Sequence, residues 1–414
     1  MLSRRALLTT VAATLPTLAH ARKPTVPTPP TAPLPAGDDD FWRGIQREFT
    51  LDRTVINLNN GGCSPSPRVV HEAFKRYLDQ TNLLPPYELW QLLEPNVESV
   101  RRELAKEAGC SADELAITRN ASEALQIAQC GLALEPGDEV VVTDQDYPRM
   151  LDTWDQLARR KGIVVKRVSF PAPLVDDAGF LALLGAAFTP RTKVLHLSQL
   201  TFLSGAEPPV QQACALARSR GILSIVDGAH AFAHLPTNLH EMGCDYYGTS
   251  LHKWMLAPIG TGFLYMRKER IAGHWALQPT HPDRDGDIRK FEEIGTHPAA
   301  NHDAIAEAIA FHRSIGGPRK LARLRWLRER WTSALAGHPR IAVHTNLAAG
   351  GALATVSITG LEPAAITTAL WDRWRIFATP IVHPAVSGVR ITPNVYTMPE
   401  EIDTFVDAVR VLAS

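Results

Sequence analysis

Three features of this 414-residue chain predict an α/β fold built on a mostly parallel sheet. Between Val55 and about Met266, short β-branched runs alternate with helical patterns, the rhythm of βαβ units covered on both faces. The run Ile222, Leu223, Ser224, Ile225, Val226 is almost wholly apolar and framed by Gly221 and Gly228, as a strand buried on both sides should be. That run ends in Asp227-Gly228-Ala229-His230, and ligands of parallel sheets bind beyond the C-terminal ends of the strands.

Taken in order, the patterns predict helices over Val97–Ala108 and Ala121–Leu134, a strand at Glu139–Thr143 and a helix over Met150–Lys161. Strands follow at Ile163–Val168, Lys193–Leu197, Ile222–Val226 and Gly262–Met266. Beyond a polar segment that reaches Arg289, helical runs at Ala304–Ser314 and Arg319–Leu335 are separated by Gly316-Gly317-Pro318. Short strands at Ile341–His344, Ala354–Ile358 and near Phe377 and Val389 then alternate with helices over Pro363–Arg373 and Pro399–Leu412, which reads as a smaller α+β C-terminal domain. The division that results is a segment 38–54 packing on the small domain, a large domain at 55–279 and the small one at 280–414.

Lysine plus arginine and aspartate plus glutamate number 43 each, so no net field draws the chain to nucleic acid or an anionic membrane. With 45% hydrophobic residues the chain can bury a large core, and a small-molecule site is the natural expectation. The start is different in kind. Arg4-Arg5 precedes an apolar stretch from Ala6 to Ala19 that closes in Ala19-His20-Ala21, a twin-arginine export signal over 1–21, followed by a Pro-rich tether at 22–37. The apolar stretch is too short to span a membrane. It implies the twin-arginine machinery as a partner and the periplasm as destination. Five cysteines, Cys63, Cys110, Cys130, Cys214 and Cys244, form no disulfide framework and read as small apolar fillers.

The chemistry concentrates in two motifs. Asp227 stands at a strand end, and Ser250-Leu251-His252-Lys253 follows with a Gly260-Thr261-Gly262-Phe263 turn behind it. A carboxylate that keeps a pyridine nitrogen protonated and a lysine that forms a Schiff base suit pyridoxal 5'-phosphate (PLP). Thr118-Arg119-Asn120-Ala121-Ser122 opens a helix after a short strand, so its free N–H groups and positive dipole end can take a phosphate; an ordinary helix cap reads equally well from local sequence.

Together these motifs resemble the fold-type I PLP enzymes of the class V aminotransferase family, in the branch of isopenicillin N epimerases and cysteine desulfurases, over about Val55 to Leu412. The resemblance implies that Asp227 pairs with the pyridinium nitrogen, His230 reaches the phenolic oxygen, and Lys253 carries the cofactor and later a proton. It further implies phosphate contacts from Ala121, Ser122, Ser250 and His252, an aromatic stack from Tyr147, and an amide from Gln199 near the phenolic oxygen. Thr296, in Gly295-Thr296, would complete the phosphate site of a neighbouring subunit, making the active unit a homodimer. Arg390 would grip a substrate α-carboxylate, and Asn60, in Asn59-Asn60-Gly61-Gly62, would touch substrate.

One departure narrows the chemistry. The stretch from Phe377 to Ala385, where cysteine desulfurases carry their persulfide-forming cysteine, holds no thiol. The expectation is therefore an exported PLP enzyme working at the Cα of an amino acid or a peptide-borne amino-acid unit, by epimerase- or aminotransferase-type chemistry. A PLP-dependent lyase and a periplasmic protein that binds PLP without turnover are the alternatives.

Overall fold

The computed structural model describes residues 38–414. The signal and tether read at 1–21 and 22–37 lie outside the described residues.

The large sheet has seven strands: β2 (Leu115–Thr118), β3 (Glu139–Thr143), β4 (Val164–Val168), β5 (Thr192–Ser198), β6 (Leu223–Asp227), β7 (Tyr246–Ser250) and β8 (Gly262–Met266), after a short β1 at Ile56–Asn57. They lie in the order β2-β8-β7-β6-β5-β3-β4. Strands β7, β6, β5, β3 and β4 run parallel, and β8 runs antiparallel to both its neighbours, β7 and β2. Alternation along the strands loads both faces with apolar side chains. In β8, Phe263 and Tyr265 join one buried cluster while Leu264 and Met266 join the other. A sheet covered on both faces in this way pushes its functional groups to the strand ends.

The smaller sheet contains β9 (Ile341–Val343), β10 (Ala354–Ile358), β12 (Thr379–His383) and β13 (Val386–Ile391), all antiparallel in the order β12-β13-β10-β9. Its core is Val356, Ile358, Val389 and Ile391 packed against Leu327 and Trp331 of the helix Gly317–Leu335 and Phe405 of the helix Pro399–Ala413.

Two expected boundaries move. Residues 280–315, expected in the small domain, belong with the large one: Ile288 and Phe291 enter one of its face clusters, and Ile305, Ala308 and Ile309 enter the other. Strand β1, expected to open the large domain, pairs in parallel with β11 (Ile376–Phe377) of the small one. The helix Asp39–Arg47 lies in the seam and not on the small domain alone, since Trp42, Ile45 and Phe49 cluster with Trp254, Leu256 and Phe311 as well as with Ala352 and Val395. These shifts bring the segment after β1 to the cavity mouth.

Candidate active site

A cavity of about 280 Å³ opens at the C-terminal ends of β5, β6 and β7, walled by Gly61, Ala121, Ser122, Tyr147, Asp227, His230, Ser250, His252, Lys253 and Arg390. Residues from six stretches of the sequence therefore converge on one space.

Asp227 is the last residue of β6, buried to 5% exposure, and its carboxylate accepts the backbone N–H of Ala229 at 2.8 Å. Burial raises its pKa, opposed by that N–H and by the Lys253 ammonium. A carboxylate so enclosed favours a cationic partner that can share its charge. Lys253 follows β7 in a turn, and its Nζ lies 3.4 Å from Nε2 of His230. Burial holds the amine down at about 8, with Asp227 pulling it up and Arg390 pushing it down. A lysine brought down to about 8 holds far more neutral amine near neutral pH than an ordinary lysine does, and nucleophilic attachment to a carbonyl uses that neutral form. His230 is driven well below its ordinary range by burial and by the Lys253 and Arg390 cations, so its imidazole is neutral.

The helix Ala121–Cys130 starts at the cavity wall. Asn120 caps it by accepting the Glu123 N–H, and the Ser250 hydroxyl oxygen accepts the Ala121 N–H at 2.9 Å. This leaves the Ser250 hydroxyl proton and the Ser122 N–H as uncommitted donors at the positive end of a helix dipole. Strand β8 passes beneath this cap only because residue 262 is glycine: a Cβ there would stand 2.7 Å from Asn120 Cα.

Arg390, on β13, reaches across the domain seam. Its guanidinium donates to the Phe202 carbonyl at 3.1 Å and to the Asn59 side-chain oxygen at 3.0 Å. Burial lowers its pKa to about 10, so it stays cationic at neutral pH. Tyr147, 38% exposed, meets Phe202 edge-on at 5.4 Å between ring centroids.

The match between this cavity and PLP can be tested on its buried polar atoms. Nδ1 of His230, Nδ1 of His252 and Nε of Arg390 are buried without a hydrogen-bond partner among the described residues. Buried polar atoms are rarely left so, and three around one cavity mark where an anionic, oxygen-rich ligand restores the missing bonds.

Two sequence expectations fail on side-chain direction. Asn60 is fully buried and makes no part of the cavity wall; its amide nitrogen donates to the Asn57 and Thr392 carbonyls, and its oxygen accepts from Asn57 and Tyr396. Its neighbour Asn59 is the one that meets Arg390, accepting a hydrogen bond from the guanidinium. Gln199 also points away, accepting the Tyr247 hydroxyl at 2.9 Å. The preceding residue, Ser198, faces the cavity, with its N–H and hydroxyl donated to Asp146 at 2.7 and 2.8 Å. Ser198 ends β5 facing in, and Gln199, the next residue, turns to the opposite side while its N–H still donates to the Asp227 carbonyl at 2.8 Å. Thr296 stands exposed on a different depression with Trp90, Arg101 and His302, outside the wall of its own chain's cavity.

Residues 56–403 match the family model for class V aminotransferases. The chain is 32% identical to an isopenicillin N epimerase of Streptomyces clavuligerus over 390 residues, 90% of this chain and 98% of that one. The chain belongs to the class V aminotransferase family. A second isopenicillin N epimerase, from Amycolatopsis lactamdurans, is 29% identical over 90% of this chain and 98% of its own. Among solved structures, a cysteine desulfurase from Escherichia coli superposes with a TM-score of 0.78 at 22% identity, covering 89% of this chain and 98% of that one. This class V aminotransferase family member is a PLP-dependent enzyme, and its fold is the α/β fold of fold type I. When bound, PLP supplies an electron sink for charge developing at a substrate Cα.

Proposed function

We propose that the protein is an exported epimerase-type enzyme that inverts the Cα of an amino acid or a peptide-borne amino-acid unit. The observation that carries this reading is the pairing of Lys253 Nζ with neutral His230 at 3.4 Å inside a cavity that also holds the cationic Arg390. Arg390 binds a carboxylate, so the adjoining Cα–H is brought to the Lys253 amine. With its pKa near 8, that amine can take a proton from Cα at neutral pH, and inversion follows when a proton is returned to the opposite face of that carbon. Asp227 holds the cofactor's ring nitrogen in its charged form. None of the five cysteines lines the cavity, and the stretch from Phe377 to Ala385 holds no thiol, which favours this reading over a persulfide-forming one. The full-length similarity to isopenicillin N epimerases supports the same choice.

Turnover of a panel of amino acids and peptides in deuterated water tests this reading. Epimerisation yields an inverted stereocentre carrying one deuterium at Cα. A keto acid as main product would move the assignment to transamination, and an eliminated fragment to a lyase.

The exported location rests on Arg4-Arg5 and the Ala19-His20-Ala21 pattern. Replacing both arginines by lysine should trap the protein in the cytoplasm with its signal attached; normal periplasmic delivery of that variant would overturn the twin-arginine route. The homodimer rests on Thr296, which is free to enter a second copy's site because it is not used in its own.

A further inference from the structure

Lys253 and His230 meet in the cavity, yet a third residue touches the backbone of one and packs against the neighbour of the other. His234 is 2% exposed and lines no part of the catalytic cavity. Its Nδ1 lies 2.8 Å from the His230 carbonyl oxygen, and its Nε2 lies 2.7 Å from the Ala352 amide nitrogen. A carbonyl only accepts and an amide only donates, so the imidazole carries its proton on Nδ1 and is neutral. Its face stacks on the Trp254 ring, at 3.8 Å between centroids and 21° between planes, and Trp254 is the residue after Lys253.

The surrounding backbone is shaped around this stack. Ala233 (φ 58°) and Leu256 (φ 64°), two of the three non-glycine residues with positive φ among the described residues, flank the stacked pair in sequence. Such conformations persist when the packing around them enforces them. Residue 351 must be glycine, since a Cβ there would stand 1.8 Å from His234 Nε2. The Trp254 carbonyl is held in turn by Lys320 Nζ.

We infer that His234 is a positioning residue for the His230–Lys253 pair, tying the His230 carbonyl, the Ala352 amide and the Trp254 ring into one rigid support. The inference rests on Lys253 being the lysine that carries PLP. Small losses of alignment at such a pair matter because proton transfer needs hydrogen-bond reach. Asp227, Arg390 and Cys63 set the electrostatics of Lys253, and Lys320, Arg325 and Arg328 surround His234, so none of these charges changes when the imidazole is replaced by an amide.

Two substitutions separate the two hydrogen bonds. In His234→Asn the amide NH₂ takes the place of Nδ1–H and keeps the His230 carbonyl. In His234→Gln the amide oxygen takes the place of Nε2 and keeps the Ala352 amide. The readouts are the pH midpoint of the cofactor absorbance band in loaded protein, and hydrogen exchange at the Ala352 amide with the melting temperature in cofactor-free protein. His234→Asn should hold the pH midpoint at the wild-type value while Ala352 exchanges about tenfold faster, the size of one lost hydrogen bond. His234→Gln should protect Ala352 but raise the midpoint by about half a unit to one unit, as water reaches the Lys253 nitrogen joined to the cofactor and favours its protonated, charged form. Midpoints unchanged in both variants, or shifts that simply track the loss in melting temperature, would reduce His234 to a packing residue. Borohydride reduction of wild type is the separate control: cofactor fixed on a lysine other than Lys253 would sink the assignment of that lysine, and this inference with it.

Discussion

Two enclosed lysines adjoin Trp254, Lys253 as its neighbour in sequence and Lys320 through its carbonyl, and they show what makes a buried amine functional. Both are depressed by burial, Lys253 to about 8 and Lys320 to about 7. Lys320 is the more deeply buried, at 1% exposure, yet its Nζ is consumed by structure: it donates to the Trp254 carbonyl and lies 3.4 Å from Nδ1 of His312. No carboxylate and no open space stand beside it among the described residues. Lys253 faces a cavity of about 280 Å³, with Asp227 acting on its charge and neutral His230 at hydrogen-bond range. A shifted pKa is therefore common to both, and only the cavity and its unpartnered polar atoms distinguish the reactive amine.

The comparison breaks most visibly at Lys253 itself. Lys253→Ala should abolish covalent attachment of PLP and all turnover, while Lys320→Met should still load cofactor. Borohydride reduction followed by peptide mass mapping checks this, and modification at Lys320 in wild type would invert the comparison.

Asp227 is the next largest lever, because it is what Lys320 lacks. Asp227→Asn removes the charge but retains the shape of a residue whose carboxylate accepts only one backbone N–H. The variant should fold and bind PLP while kcat falls by about 10²–10⁴, the range of losing one electrostatic or acid–base partner. Near-normal kcat would refute the role.

Much of this site was readable in the sequence, and the failures share a cause. Strands β3, β8 and β10 fall where periodicity and flanking glycines put them, and Asp227, His230, Ser250, His252, Lys253 and Arg390 converge because they lie at strand ends or in the turns beyond them. The errors at Asn60 and Gln199 are errors of one residue. In extended chain, neighbours point to opposite sides, so Ser198 lines the cavity where Gln199 was expected, and Asn59, not Asn60, meets the Arg390 guanidinium. Strand β7, Tyr-Tyr-Gly-Thr-Ser, escaped because it has no apolar run; its glycine is required where a Cβ would meet Leu125 at 2.7 Å. The boundary misplaced at 280 reflects long-range packing of Ile305 and Ile309, which no local pattern encodes.

The two lysines should also differ in how they affect stability with pH. An amine whose folded pKa is about 7 binds fewer protons in the folded than in the unfolded state between pH 7 and 10.5, so stability rises with pH across that window. Lys320→Met should flatten the rise in melting temperature from pH 7 to 10 without altering the cofactor band. An unchanged slope would show that Lys320 is charged in the fold.

The smallest expected effect lies farthest from both lysines. Thr296 is exposed and contributes nothing to its own chain's cavity, so the homodimer proposed here gives it a role only in a second copy. If its hydroxyl completes that copy's phosphate site, PLP binding and dimerisation are thermodynamically linked, because a ligand bridging two subunits stabilises the assembled state. Dilution should then release cofactor, and Thr296→Ala should weaken its retention by about 1 kcal/mol or somewhat more, the worth of a hydrogen bond to a charged group. The melting temperature of the cofactor-free protein should hardly move, since no partner within the chain is lost. Sedimentation followed at the cofactor absorbance decides the matter: a monomer that keeps PLP at full affinity across all concentrations would confine the phosphate site to one chain and leave Ser122, Ser250 and His252 to bind it unaided.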